Sequence, residues 1–191
     1  MMKYMYLDIE TLGLNPTKEK IVAVGVGFDN RISVTFSENE QDLLFDSKSY
    51  IKSIVGGRRD VVMITFNGDA FDVRYLTTRG IVCRVDMSFL LDVMHVDFMW
   101  IMNKYMIGNR KQTLKLHEFA DMCSIKYDDK VTGKGIPLLY ENKLYEAIKL
   151  HCASDVKLLV QLSEIEEIKQ LIKLDLKRRY KYVQIEESES L

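Results

Sequence analysis

Short apolar runs dominate the first third of the chain. Residues 4–9, 21–28 and 31–36 are rich in β-branched and aromatic side chains. Gly13, Asn15, Pro16 and the Asp29-Asn30 pair separate them, which predicts three successive strands. The second and third runs are close enough to form a hairpin, so this part of the sheet is antiparallel. Over residues 40–54 the period changes: Leu43, Leu44, Tyr50, Ile51 and Ile54 gather on one side of a helix, and Gly56-Gly57 ends it. Residues 60–66 hold Val61-Val62-Met63-Ile64, a pattern suited to a buried strand, and residues 69–79 follow as a helix closed by Gly80.

A strand near residues 92–98 leads to an apolar stretch around residues 100–106, and Thr113 is placed to cap a helix running to about Cys123. Residues 126–135 are polar, contain Gly133 and Gly135, and form the best candidate for a mobile loop. Pro137 opens a helical tail in which residues 144–164 carry a strong 3.6-residue pattern that continues or restarts through residues 165–180. The acidic residues 186–191 read as frayed. This order predicts an α/β fold: a mixed sheet, antiparallel in its first three strands and then parallel, flanked by helices and ending in a helical C-terminus.

Composition narrows the picture. The 191 residues are 47% hydrophobic and 10% aromatic, enough for one packed domain. Lysine and arginine total 27 against 28 acids, a net charge of −1, so any surface for a polyanion must be local. No run of eighteen apolar residues occurs, and the first ten residues carry two carboxylates, so we expect a cytoplasmic protein with no membrane span or secretory signal. Cys83, Cys123 and Cys152 are odd in number and widely spaced, which fits reduced thiols better than a zinc or disulfide framework.

Three segments carry candidate chemistry. In the first strand, Asp8 and Glu10 are two apart and point to one face. Carboxylates so close repel unless they are protonated, paired with basic groups or bridged by cations, and hard oxygen ligands favour magnesium or manganese. A solvated strand end is the alternative. In residues 66–76 an apolar strand ends at Asn67-Gly68 and a helix begins, with Asp69 or Asp72 in its first turn, where the helix dipole alone would favour an acid. In the long C-terminal helix His151 and Asp155 are four apart and share a face. They offer a carboxylate for a metal and an imidazole able to take a proton, or merely an exposed ion pair.

Taken together, these segments resemble the three motifs of the DEDD-superfamily 3′→5′ exonucleases, RNase H-like enzymes, most closely the proofreading domain of family B DNA polymerases and its stand-alone relatives. Leu7-Asp8-Ile9-Glu10-Thr11 is similar to the first motif, residues 67–76 to the second, and residues 151–159 to the third. His95-Val96-Asp97, Leu114-Lys115-Leu116 and Ile136-Pro137-Leu138-Leu139-Tyr140 add weaker likenesses, so the resemblance spans about residues 5–162. It implies a single RNase H-like exonuclease domain over residues 1–182 with an acidic tail at 183–191.

The resemblance further implies that Asp8, Glu10, Asp72 and Asp155 bind two Mg2+ or Mn2+ ions, with Asp72 preferred to Asp69, and that Glu10 helps orient the attacking water. His151 is the implied proton-handling residue. The polymerase-like branch has tyrosine four residues before the last aspartate and the other large branch has histidine five before it; here histidine holds the four-residue position. Thr11, Leu12, Asn67 and Phe71 would contact the terminal nucleotide, although Asn67 also suits a turn and Phe71 a core. His95 and His117 match no motif position and read as core or surface residues.

The implied activity is stepwise hydrolysis of a single-stranded DNA or RNA 3′ end, with single-stranded DNA favoured, to nucleoside 5′-monophosphates. Arg58-Arg59, Arg74, Arg79, Lys104, Arg110-Lys111, Lys126, Lys130, Lys134 and Lys177-Arg178-Arg179 are available to bind the strand, and Tyr105, Tyr127 and Tyr140 to stack on bases. The competing readings are a structure-selective RNase H-like endonuclease and a nucleic-acid-binding subunit without catalysis. The helical tail after Leu162 is a candidate surface for a homodimer or a replication or repair partner.

Overall fold

The computed structural model describes residues 2–107 and 114–180. Five strands form one sheet in the order β3-β2-β1-β4-β5, with β1 at Lys3–Thr11, β2 at Ile21–Phe28, β3 at Arg31–Phe36, β4 at Val61–Thr65 and β5 at Met94–Asp97. β1 pairs antiparallel with β2, and β2 with β3, while β1–β4 and β4–β5 are parallel. The expected mixed sheet is therefore present, with β1 at its centre.

Strand alternation divides the side chains between two helical layers. Met5, Leu7, Ile9, Val61 and Met63 face one core with Leu43, Leu44 and Ile51 of α1 (Glu40–Val55) and Val73 and Leu76 of α2 (Asp72–Cys83). Tyr4, Tyr6, Val62, Ile64 and Val96 face the other, with Leu158, Leu159 and Leu162 of α6 (Tyr145–Glu164), Ile168, Ile172 and Leu176 of α7 (Glu166–Arg179), and Phe119 of α4 (Leu116–Met122). Asp8 and Glu10 share the parity of Tyr4 and Tyr6, so the same alternation directs them under α6. That helix lies very close to the sheet: a Cβ built on Gly25 would stand 2.7 Å from Cys152 Sγ and 2.8 Å from Val156 Cγ2. Glycine at this point lets α6 approach the edge of the acidic strand.

Two expected boundaries move. The helix expected over 69–79 runs from Asp72 to Cys83, because residues 67–71 are spent on turns in which Asn67 (φ 64°) receives the amides of Ala70 and Phe71 on its carbonyl. Gly80 does not end that helix. Arg84 in the left-handed region ends it, and Gly80 is small because a Cβ there would meet the returning Val85 carbonyl at 2.5 Å. Elsewhere α3 (Phe98–Ile101) runs into a π-helical turn at Met102–Ile107, and α5 (Ile136–Glu141) starts with Pro137 in its first turn, as expected. The proposed Thr113 cap, Arg110-Lys111 and the acidic tail at 183–191 lie outside the described residues. No helix among the described residues is long and apolar enough to cross a membrane.

Candidate active site

The C-terminal end of β1 delivers Asp8 and Glu10, the first residue of α2 delivers Asp72, and the second and third turns of α6 deliver His151 and Asp155. Asp72 is drawn in by the backbone: its Oδ1 accepts from the amide of Ile9, between the two strand acids, at 3.2 Å. Asp69 goes elsewhere. Its carboxylate meets His95 Nδ1 at 2.9 Å and Arg179 Nη1 at 3.7 Å. The second-motif turn is held by Asp97, whose carboxylate accepts from the amides of Asn67 (2.9 Å) and Asp69 (3.0 Å).

Oxygen, nitrogen and sulfur atoms converge tightly. Donor atoms of Glu10, His151 and Asp155 lie within 4.8 Å of one another, as do those of Asp8, Glu10 and Cys152, and those of His117, Asp129 and Asp155. Among the described residues, the basic side chains within 4.0 Å of the four motif acids are histidines, His117 Nε2 at 3.0 Å from Asp155 Oδ1 and His151 Nε2 at 3.6 Å from Glu10 Oε1. Among those residues no lysine or arginine pairs with them, and the consequence is electrostatic. Burial, followed by the charges of Glu10, Asp155 and Asp72, pushes the Asp8 carboxyl well above the usual range. Burial, followed by Asp155, Asp72 and Asp129, does the same to Glu10. Asp72 rises to about 7, chiefly through burial, with Asp97 and Asp155 adding to it and hydrogen bonds from its own amide and that of Ile9 opposing.

Asp8 keeps a partial opening to solvent through one side, but its Oδ2 is sealed and has no hydrogen-bond partner. Such an oxygen is expensive to bury unless a hydrogen-bond donor or a cation meets its lone pairs. The donor set, rich in carboxylate oxygen and poor in bases, fits divalent cations of the magnesium and manganese type.

Two residues that sequence reasoning placed elsewhere belong to this cluster. His117, expected in a core or surface role, bonds Asp155 directly, and that bond leads the causes that raise its pKa. Asp129, in the stretch expected as a mobile loop, is hydrogen-bonded through Oδ2 to His151 Nδ1. The adjacent acids at 128 and 129 were the available signal for the second; nothing local distinguishes His117. Cys152 is fully buried, with its Sγ 3.9 Å from the Asp8 carbonyl, and burial raises its pKa well above the ordinary thiol value, so it is an inert donor.

The expected nucleotide contacts have structural partners. Thr11 Oγ1 donates to the Gly13 carbonyl at 2.7 Å, Leu12 packs against the small core cluster that contains Val22, Ile148 and Cys152, Asn67 makes the turn, and Phe71 packs against Tyr75 with ring centroids 5.1 Å apart. Of the expected cations, Arg79 is buried in an ion pair with Glu40. Arg178 and Lys104 lie over Tyr105, and Lys104 and Arg179 over Trp100. Lys126 borders a groove of about 330 Å³ beside the site, between Tyr127, Asp129, Leu150 and Lys157.

A family model of the RNase H superfamily matches residues 5–166. The chain belongs to the RNase H superfamily. An uncharacterised protein of Methanocaldococcus jannaschii is 32% identical over 142 residues, covering 71% of this chain and 74% of the relative. The structure of the family B DNA polymerase from the hyperthermophilic archaeon Pyrobaculum calidifontis superposes with a TM-score of 0.70 at 15% identity, over 86% of this chain. This RNase H superfamily chain spans 24% of that polymerase, and the likeness is one of fold.

Proposed function

We propose that this protein is a metal-dependent 3′→5′ exonuclease acting on single-stranded nucleic acid, with single-stranded DNA the favoured substrate. The observation that carries the reading is the gathering of Asp8, Glu10 and Asp155 in a largely buried, base-poor cluster, with Asp72 held beside it by the Ile9 amide and Asp8 Oδ2 left without a partner. These four would hold two divalent cations. When bound, such ions polarise the attacking water and neutralise charge on the leaving 3′ oxygen.

The protein's own residues supply the rest. Asp72, tied to the Ile9 amide, fixes α2 against β1 and so sets the distance between the first and second motifs. His117 orients Asp155, as an imidazole commonly orients a carboxylate near a metal. Glu10 Oε1 and His151 Nε2 lie 3.6 Å apart, so a water seated beside the pair can be oriented by Glu10 and give its proton to His151. The products are nucleoside 5′-monophosphates, and residues 1–182 form one exonuclease domain.

A 3′-end-resolved assay on a labelled single strand with Mg2+ or Mn2+ tests the reading. A ladder shortening from the 3′ end is expected, abolished in Asp8→Ala and Asp155→Asn while the circular dichroism spectrum is retained. Fixed internal cuts would indicate an endonuclease, and binding without cleavage a non-catalytic subunit. Running DNA and RNA side by side assigns the preferred strand.

A further inference from the structure

The stretch at residues 125–132 has no regular secondary structure, yet two of its side chains close on the two histidines of the site. The Tyr127 ring stacks on His117, with centroids 4.6 Å apart and planes at 28°. Two residues on, Asp129 Oδ2 is bonded to His151 Nδ1, and its other oxygen is anchored by the amide of Val131 at 2.9 Å. One carboxylate oxygen is thus fixed by the backbone while the other meets the imidazole.

A carboxylate only accepts, so its hydrogen bond to Nδ1 places the ring proton there. Nε2 is then the nitrogen with a lone pair, and it lies 3.6 Å from Glu10 Oε1, too far for a hydrogen bond between the two. His151 is 3% exposed, so bulk water cannot reset its tautomer or ring orientation. We infer that Asp129 is a positioning residue that locks His151 in the Nδ1–H tautomer and presents Nε2 to the attacking water. This rests on the exonuclease reading above. A water proton moves to Nε2, the water oxygen bonds phosphorus as the bond to the 3′ oxygen breaks, and that oxygen takes a proton from solvent. The imidazolium so formed stays bonded to Asp129, and its extra proton returns to solvent after product leaves. The arrangement follows the logic by which a buried carboxylate orients a catalytic histidine in hydrolases.

The protein has three histidines, so long-range proton–nitrogen correlation spectra of histidine-labelled protein can be read for each ring. At a pH where imidazole is neutral, His151 should show a protonated Nδ1 and an unprotonated Nε2, with and without Mg2+. Asp129→Ala should lose that preference. Asp129→Asn, close in shape, can donate its amide to Nδ1 and should impose the opposite tautomer. In the cleavage assay each variant should lose about 10- to 100-fold in kcat with KM little changed. The loss should disappear in a His151→Phe background, since a residue acting only through His151 has nothing left to act on. An unprotonated Nδ1 in the wild-type protein, or losses at 129 and 151 that multiply, would overturn the inference. A wild-type protein that cleaves no strand overturns the nuclease reading instead, while the nitrogen spectra still decide whether Asp129 governs the ring.

Discussion

Replacing Asp72 by asparagine should make the metal-free protein more stable, and only above a definite pH. The Asp72 carboxyl is 4% exposed and rises from the ordinary 3.8 to about 7 in the folded chain. A raised carboxyl pKa means that the folded state binds the proton more tightly than the unfolded state. Its contribution to stability is therefore largest below pH 3.8 and falls as pH rises toward 7. A displacement of roughly three units corresponds to about 4 kcal/mol at most once the group is ionised. The asparagine side chain keeps an oxygen for the Ile9 amide but never ionises, so the variant should gain on the order of 2–4 kcal/mol at neutral pH and above, shrinking to nothing near pH 4. Urea unfolding in EDTA at several pH values measures this directly. Adding Mg2+ should stabilise the wild type and not the variant, reversing their order. A variant no more stable than wild type at high pH, or a gain independent of pH, would refute the account of the acidic cluster as electrostatically strained.

Three other perturbations reach the site through its supports. Gly25→Ala drives a methyl to 2.7 Å from Cys152 Sγ and 2.8 Å from Val156 Cγ2, so α6 must lift; thermal unfolding should show a loss of about 1–3 kcal/mol, and cleavage should fall because Asp155 moves with the helix. Arg79→Ala strands the buried Glu40 carboxylate that also receives the Ile21 amide at 2.8 Å; denaturant titration should show a loss of about 3–5 kcal/mol with no change in metal affinity. His117 has its pKa raised, chiefly by Asp155, so its stabilising contribution is complete below the ordinary value of 6.5 and fades as pH rises through the higher folded value. Metal-free His117→Ala should accordingly fall further below wild type at pH 6 than at pH 9, by chemical denaturation at both, the pH-independent remainder being the lost stack on Tyr127.

Much of this protein is written in local periodicity. Alternation along residues 4–11 alone puts Asp8 and Glu10 on one face, and a 3.6-residue repeat puts His151 and Asp155 on another, because these relations span only two to four residues. The hairpin, the buried fourth strand and the helical end follow from the same kind of signal, and so does the mixed sheet. What the chain does with residues far apart lies beyond that reach. Asp69 and Asp72 both suit the start of a helix, and only the packing of α2 on β1 sends one to the Ile9 amide and the other to His95 and Arg179. Gly80 has the look of a helix stop, but the return of Val85 across it makes it a contact point within the helix. His117 and Asp129 stand 38 and 22 residues from their partners, Asp155 and His151, and no spacing rule joins them. The tertiary structure decided their roles, since the free energy of burying charged groups depends on which others are buried beside them, and that is set by how helices and a loop close over the sheet.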